Sequence, residues 1–248
     1  MPTVNINPFN SGGNYALGRA TVIGAGANVS IAFSNARGAS SGIVSQAAVS
    51  QPTSIQVSVA SAPRGFNVTL SRSFAWFDLS AYASSTSTNT ITALTLKTLS
   101  GGTSGVATDF CVCKSVNAFS NATSTTLASG DYNSVFFNTL YSNANLSWAA
   151  ASTSISSVLN NSAVNDANTN GKLNIVWIND AYDQSNTIPS STFTGVNHID
   201  QANPGKQALA VTYSIAGYSH EVNNVPGADI AEINTVAAAD IDELNNVS

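Results

Sequence analysis

Arg72-Ser-Phe-Ala-Trp-Phe-Asp-Leu-Ser80 is the stretch that decides the fold. In an extended chain Phe74 and Trp76 fall on one side and Ala75, Phe77 and Leu79 on the other. A segment apolar on both faces belongs at the centre of a layered β structure, because successive side chains in a strand point in opposite directions. Working outward, Phe66, Val68 and Leu70 alternate with Asn67 and Thr69, and Ile55, Val57 and Val59 alternate with polar residues across 54–60. Residues 28–35 show the same period of two through Val29, Ile31 and Phe33, and read as another strand. On the C-terminal side Leu94 and Leu96 face inward opposite Thr95 and Lys97. Behind the Asn170-Gly171 turn, Leu173, Ile175 and Trp177 share a face of 172–179, and Leu209, Val211, Tyr213 and Ile215 alternate through 208–215.

Between these runs lie loops dense in Ser, Thr, Asn and Gly. Helical spacing is visible at 149–159 alone, through Ile155, Val158 and Leu159, where β-branched residues and serines weaken it. Many short strands without alternating helices predict an all-β, antiparallel jelly-roll β-sandwich over residues 1–217. A tail of different character occupies 218–248.

The 248 residues include 8 Lys and Arg and 13 Asp and Glu, so 8 % of the chain is charged and the net charge is −5. Ordinary soluble domains carry about 25 % charged residues. With 43 % hydrophobic residues in clean periodic runs the chain can bury a real core, which excludes disorder. Cations are too few and too scattered for a nucleic-acid surface. The first residues lack the charged and apolar regions of a secretory signal, and no run is long enough for a membrane span. The polar, uncharged composition is nevertheless that of a surface or appendage protein. A virion protein, made in the host cytoplasm and released by lysis, reconciles the two.

The segment Arg72–Ser80, followed by Asn89-Thr-Ile-Thr-Ala-Leu-Thr-Leu-Lys97, resembles the "R-S-F-x-x-F-D-L-S, then I-T-x-A-x-L-x-L" core of the DNRLRE-type jelly-roll domains, relatives of carbohydrate-binding modules. Lys206-Gln-Ala-Leu-Ala-Val-Thr-Tyr213 is similar to that family's closing "P-x-L-x-V-T-Y", and Asp131-Tyr-Asn-Ser-Val falls where the family has a comparable segment. The string that names the family is absent. The resemblance implies a β-sandwich of the kind found in bacterial surface and phage virion proteins, with no catalytic residues to carry over.

In the tail, Glu221-Val-Asn-Asn-Val225, Glu232-Ile-Asn-Thr-Val236 and Glu243-Leu-Asn-Asn-Val247 repeat at a spacing of 11 residues. Ala-Asp-Ile precedes the last two. An 11-residue period over a continuous helix would give a right-handed supercoil, but Pro226-Gly227 interrupts it. Asp229 with Glu232, and Asp240 with Glu243, have the spacing at which two carboxylates cap a helix start, which predicts short helical turns. Ile230, Ile233 and Val236, with Ile241, Leu244 and Val247, then need a partner surface, since turns this short are not stable alone. No Lys or Arg follows Lys206, so the tail carries −6 and residues 1–220 carry +1. Such repeats look like those of bacteriophage tail-fibre, neck and head proteins, where they resemble docking or multimerisation elements.

No reacting constellation stands out: Gly-x-Ser-x-Gly, His-Glu-x-x-His and a P-loop are missing, and Gly24-Ala-Gly26 reads as a turn. The aspartates Asp78, Asp109, Asp131, Asp166, Asp180, Asp183 and Asp200 read as turn formers, with a structural calcium at Asp180 and Asp183 as the alternative. Cys111 and Cys113 share a strand face, in a geometry unsuited to a disulfide, and read as reduced packing residues. Trp76 and Trp177 read as core, whereas Trp148 and Tyr182, at loop boundaries, are the candidates for a sugar-stacking platform. The expectation is a non-enzymatic virion protein without cofactor or metal, with other virion proteins and its own copies as partners. A host surface glycan is the alternative partner.

Overall fold

The computed structural model describes residues 1–8, 17–46, 53–116, 127–143, 145–200 and 207–215, and the backbone of 232–233 and 236–237. The strands are β1 (Thr3–Ile6), β2 (Leu17–Gly26), β3 (Ile43–Gln46), β4 (Thr53–Ala62), β5 (Gly65–Asp78), β6 (Thr90–Gly105), β7 (Phe110–Ser115), β8 (Val135–Leu140), β9 (Ser154–Leu159), β10 (Lys172–Asn179), β11 (Thr194–Ile199) and β12 (Ala208–Ser214). Among the described residues two α-helices, α1 (Val29–Arg37) and α2 (Asn161–Asn170), accompany them, with short helical turns at Ser129–Asn133 and Asp180–Gln184. Strand pairing among the described residues is antiparallel throughout, and the molecule is an all-β sandwich. No helix among the described residues is long and apolar enough to cross a membrane.

One sheet runs β1-β12-β6-β9. β6 then continues into the second sheet, where its last residues pair with β11, followed by β4 and β5. β5 is the hub expected from its sequence. Along one edge it pairs with β2 from Phe66 to Ala75. Its other edge is shared: Gly65–Ser71 pairs with β4 and Ser73–Asp78 with β10, so the sheet forks at Arg72. Beyond β10 lie β7 and β8.

Each face of the second sheet carries a core. Between the sheets, Leu94, Leu96, Leu209 and Val211 meet Phe77, Phe110, Leu173, Ile175 and Trp177, all essentially inaccessible. Each such side chain contributes about 1.5–3 kcal/mol of burial. The Trp177 indole N–H donates to Thr98 Oγ1 at 3.0 Å and so is not left orphaned. On the outer face Val68, Leu70 and Phe74 of β5 and Val176 and Ile178 of β10 join one core with Ala32, Phe33 and Ala36 of α1. Trp76 is only partly buried there.

Three local expectations are corrected. Residues 28–35 form a helix, not a strand. Asn28 is its N-cap, accepting from Ile31 N at 3.0 Å, and the buried positions are Ala32, Phe33 and Ala36, a helical stripe. Val29, Ile31 and Phe33 therefore do not share a face, and Ile31 is 46 % exposed. Gly24 and Gly26 belong to β2, not to a turn. A Cβ on Gly24 would lie 2.2 Å from Ala32 O, so its absence is what lets α1 lie on the strand. Finally, 154–159 is the edge strand β9, favoured by Ile155 and Val158, and the helix follows it. α2 is set by Asn160, which accepts from Ser162 N and Ala163 N, and by Gly171, whose φ of 62° ends it.

Candidate functional site

Arg72, at the fork of the second sheet, is fully buried. Its Nε and Nη2 donate to Asp183 Oδ2 and Oδ1 at 2.7 and 2.8 Å, in the bidentate geometry that suits a guanidinium and a carboxylate. Nη1 donates to Tyr132 O at 2.8 Å and Nη2 also to Arg37 O at 3.3 Å. The guanidinium carbon lies 4.1 Å from the centre of the Tyr132 ring. Burial alone would lower the Arg72 pKa, and the Asp183 carboxylate more than offsets this, leaving it raised. Arg37 adds a bond from Nε to Asp183 O at 2.7 Å and lies over Phe137. With donors on β5 and α1 and acceptors on α1 and two turns, this group is a structural joint.

The calcium alternative is not assembled. Asp183 is committed to Arg72, whereas Asp180 Oδ2 accepts from Asn145 N at 2.9 Å. Among the described residues no three His, Cys, Asp or Glu side chains cluster to hold a metal. Cys111 and Cys113 are free and buried with sulfurs 4.0 Å apart. The hydrogen bond to Cys113, burial and the Asp180 carboxylate all push the Cys111 thiol far above its ordinary range. An aromatic disulfide reagent at pH 8 is therefore expected to modify neither thiol in the native protein and both in guanidinium, as followed by absorbance; rapid native labelling would contradict this.

The two rings proposed for a sugar platform are placed apart. Trp148 donates from its indole to Gly102 O at 3.0 Å, and meets Phe110 edge-on at 5.0 Å beside the core between the sheets. Tyr182 packs on Phe193 at 4.5 Å, beside the outer core. They join different cores and do not form one platform. In the tail, the backbone of Glu232–Ile233 pairs antiparallel with Val236–Ala237 in place of the expected helical turn. β-branched Ile233 and Val236 favour that extended conformation. Asp229, Ile230, Asp240, Ile241, Glu243, Leu244 and Val247 lie outside the described residues.

One polar groove was not anticipated from the sequence. β7 pairs with β10 only from Ile175 onward, so the outer edge of β10 at 172–174 carries no strand among the described residues. A groove of about 210 Å³ opens there, lined among others by Lys114, Tyr141, Asp166, Asn170, Lys172 and Asn174. Lys114 Nζ and the Tyr141 hydroxyl both donate to Asp166 Oδ2, the first at 2.8 Å. Burial first, then the bond to Asp166, push the Tyr141 phenol well up, so it stays a donor. Lys172 is half-buried and forms no ion pair among the described residues. Its cross-strand neighbour Asp78 instead accepts from Ser80 N. Asn174 Oδ1 is buried with no partner among the described residues.

No protein-family model matches the chain, and no curated protein matches it.

Proposed function

We propose that the chain is a non-enzymatic bacteriophage virion structural protein, a tail-fibre, neck or capsid-decorating sandwich that assembles on the particle through its C-terminal repeats. The observation that carries this is the tail. Every Glu of the chain, at 221, 232 and 243, lies at the same place in an 11-residue repeat, beside aliphatic residues held in register. A purely solvated acidic segment needs no such register. The sheet edges support the reading. β1, β3, β8 and β9 are each paired on one side only among the described residues, and none contains a charged residue. Free-standing β proteins guard their edges with charge, whereas an assembly subunit has less need to.

Deleting 218–248 is expected to abolish oligomers or particle association in light scattering while leaving the thermal unfolding of the sandwich in place. A truncated form that assembles like the full chain would overturn the proposal. A second reading, a glycan-binding module recognising host surface polysaccharide, is favoured by the groove at Lys172.

A further inference from the structure

We infer that the groove between Lys114 and Lys172 binds an anionic sugar residue, a hydroxylated ring bearing a carboxylate, such as a uronic acid unit of a surface polysaccharide. The inference rests on the glycan-binding reading and gives it a site and a ligand class. Two of the chain's four lysines line this one groove with Asp166. Asp78, opposite Lys172 on β5, takes the Ser80 N–H and forms no ion pair with the Lys172 ammonium among the described residues. Lys114 is already neutralised by Asp166, which leaves the Lys172 ammonium to meet an incoming anion. The remaining groups are those that recognise hydroxyls. Asn174 is on the groove lining and its Oδ1 finds no donor among the described residues, a costly condition that turning the amide onto a ligand hydroxyl would relieve. Asp166 Oδ1 takes neither the Lys114 bond nor the Tyr141 bond and is a second acceptor. Asn170 is anchored through Nδ2 to Asp166 O at 2.7 Å, and its Oδ1 adds a third. A volume near 210 Å³ suits one sugar ring and not a chain.

The test is titration of the isotope-labelled full chain with D-glucuronate, D-glucose and acetate, followed by amide NMR shifts. Glucuronate is expected to shift signals of 114–116, 166–174 and their neighbours, with glucose and acetate each binding about fivefold more weakly or less. Lys172→Gln should weaken glucuronate by a similar factor and Lys172→Glu should abolish binding. Because Lys172 is half-exposed, both variants should keep the parent melting temperature. Equal binding of glucose and glucuronate, or indifference to Lys172→Glu, would overturn the site. Shifts centred on Trp148 or Tyr182 would overturn the groove and leave the glycan-binding reading standing, whereas silence with every sugar and on an array of bacterial polysaccharides would remove both.

Discussion

Asp183→Ala is expected to destabilise the sandwich by about 3–5 kcal/mol, because it leaves the guanidinium of Arg72 charged, buried and without its counter-ion. The Arg72 side chain is fully inaccessible and that of Asp183 is 3 % exposed, so water cannot take over the lost bonds. The damage should spread, since the same group binds Tyr132 O and Arg37 O and thereby ties α1 and the turn at Ser129–Asn133 to β5. Replacing both partners at once, as Arg72→Met with Asp183→Leu, should cost markedly less than Asp183→Ala, because no uncompensated charge remains. Urea denaturation of the two variants measures this directly. A loss below about 1 kcal/mol for Asp183→Ala, in the range of an exposed pair, would show that the joint is not load-carrying.

The second large effect is steric. Gly24→Ala places a methyl group 2.2 Å from Ala32 O and 2.3 Å from Ala36 N, both backbone atoms of α1 that cannot rotate aside. The helix must lift from β2, at a cost of about 1–3 kcal/mol or more, and Gly24→Val should cost more still. Lifting α1 also strains the bond from the Tyr132 hydroxyl to Ala36 O. Thermal melts would read the overall loss, and hydrogen exchange should show it concentrated in the α1 amides. Unchanged protection there would mean that the helix is not seated as the glycine implies.

The sheets were legible because their sequences carry a period of two over long runs. β5, β6, β10 and β12 follow the alternation, and β5 is central for the reason its two apolar faces suggest. The helices were not legible, for opposite reasons. In α1, Val29, Ile31 and Phe33 imitate a strand, and the real signal is the cap at Asn28 followed by the small residues Ala32 and Ala36 that fit against Gly24. In α2 the buried face is only Ala163 and Ala167, set among Asn, Ser, Thr and Asp of low helix propensity. The polar groove is not legible in the sequence because its members are far apart along the chain and Asp166 reaches it from α2. Its only trace in the sequence is the scarcity of lysine, which makes any convergence of two informative. The Arg72–Asp183 joint was equally hidden, since nothing local pairs residues separated by 111 positions.

The pairing of β1 with β12 bears on how the molecule is made. Thr3 lies opposite Thr212, so the first strand cannot find its neighbour until nearly the whole sandwich has left the ribosome. β6, β9 and β12 of the same sheet are also spread widely along the chain. Such topologies fold slowly, because loop-closure entropy must be met before distant contacts form. During that interval the uncharged strands stand open to other nascent chains. Synthesis at low temperature or with folding helpers should therefore raise the yield of this protein more than that of a helical protein of equal length.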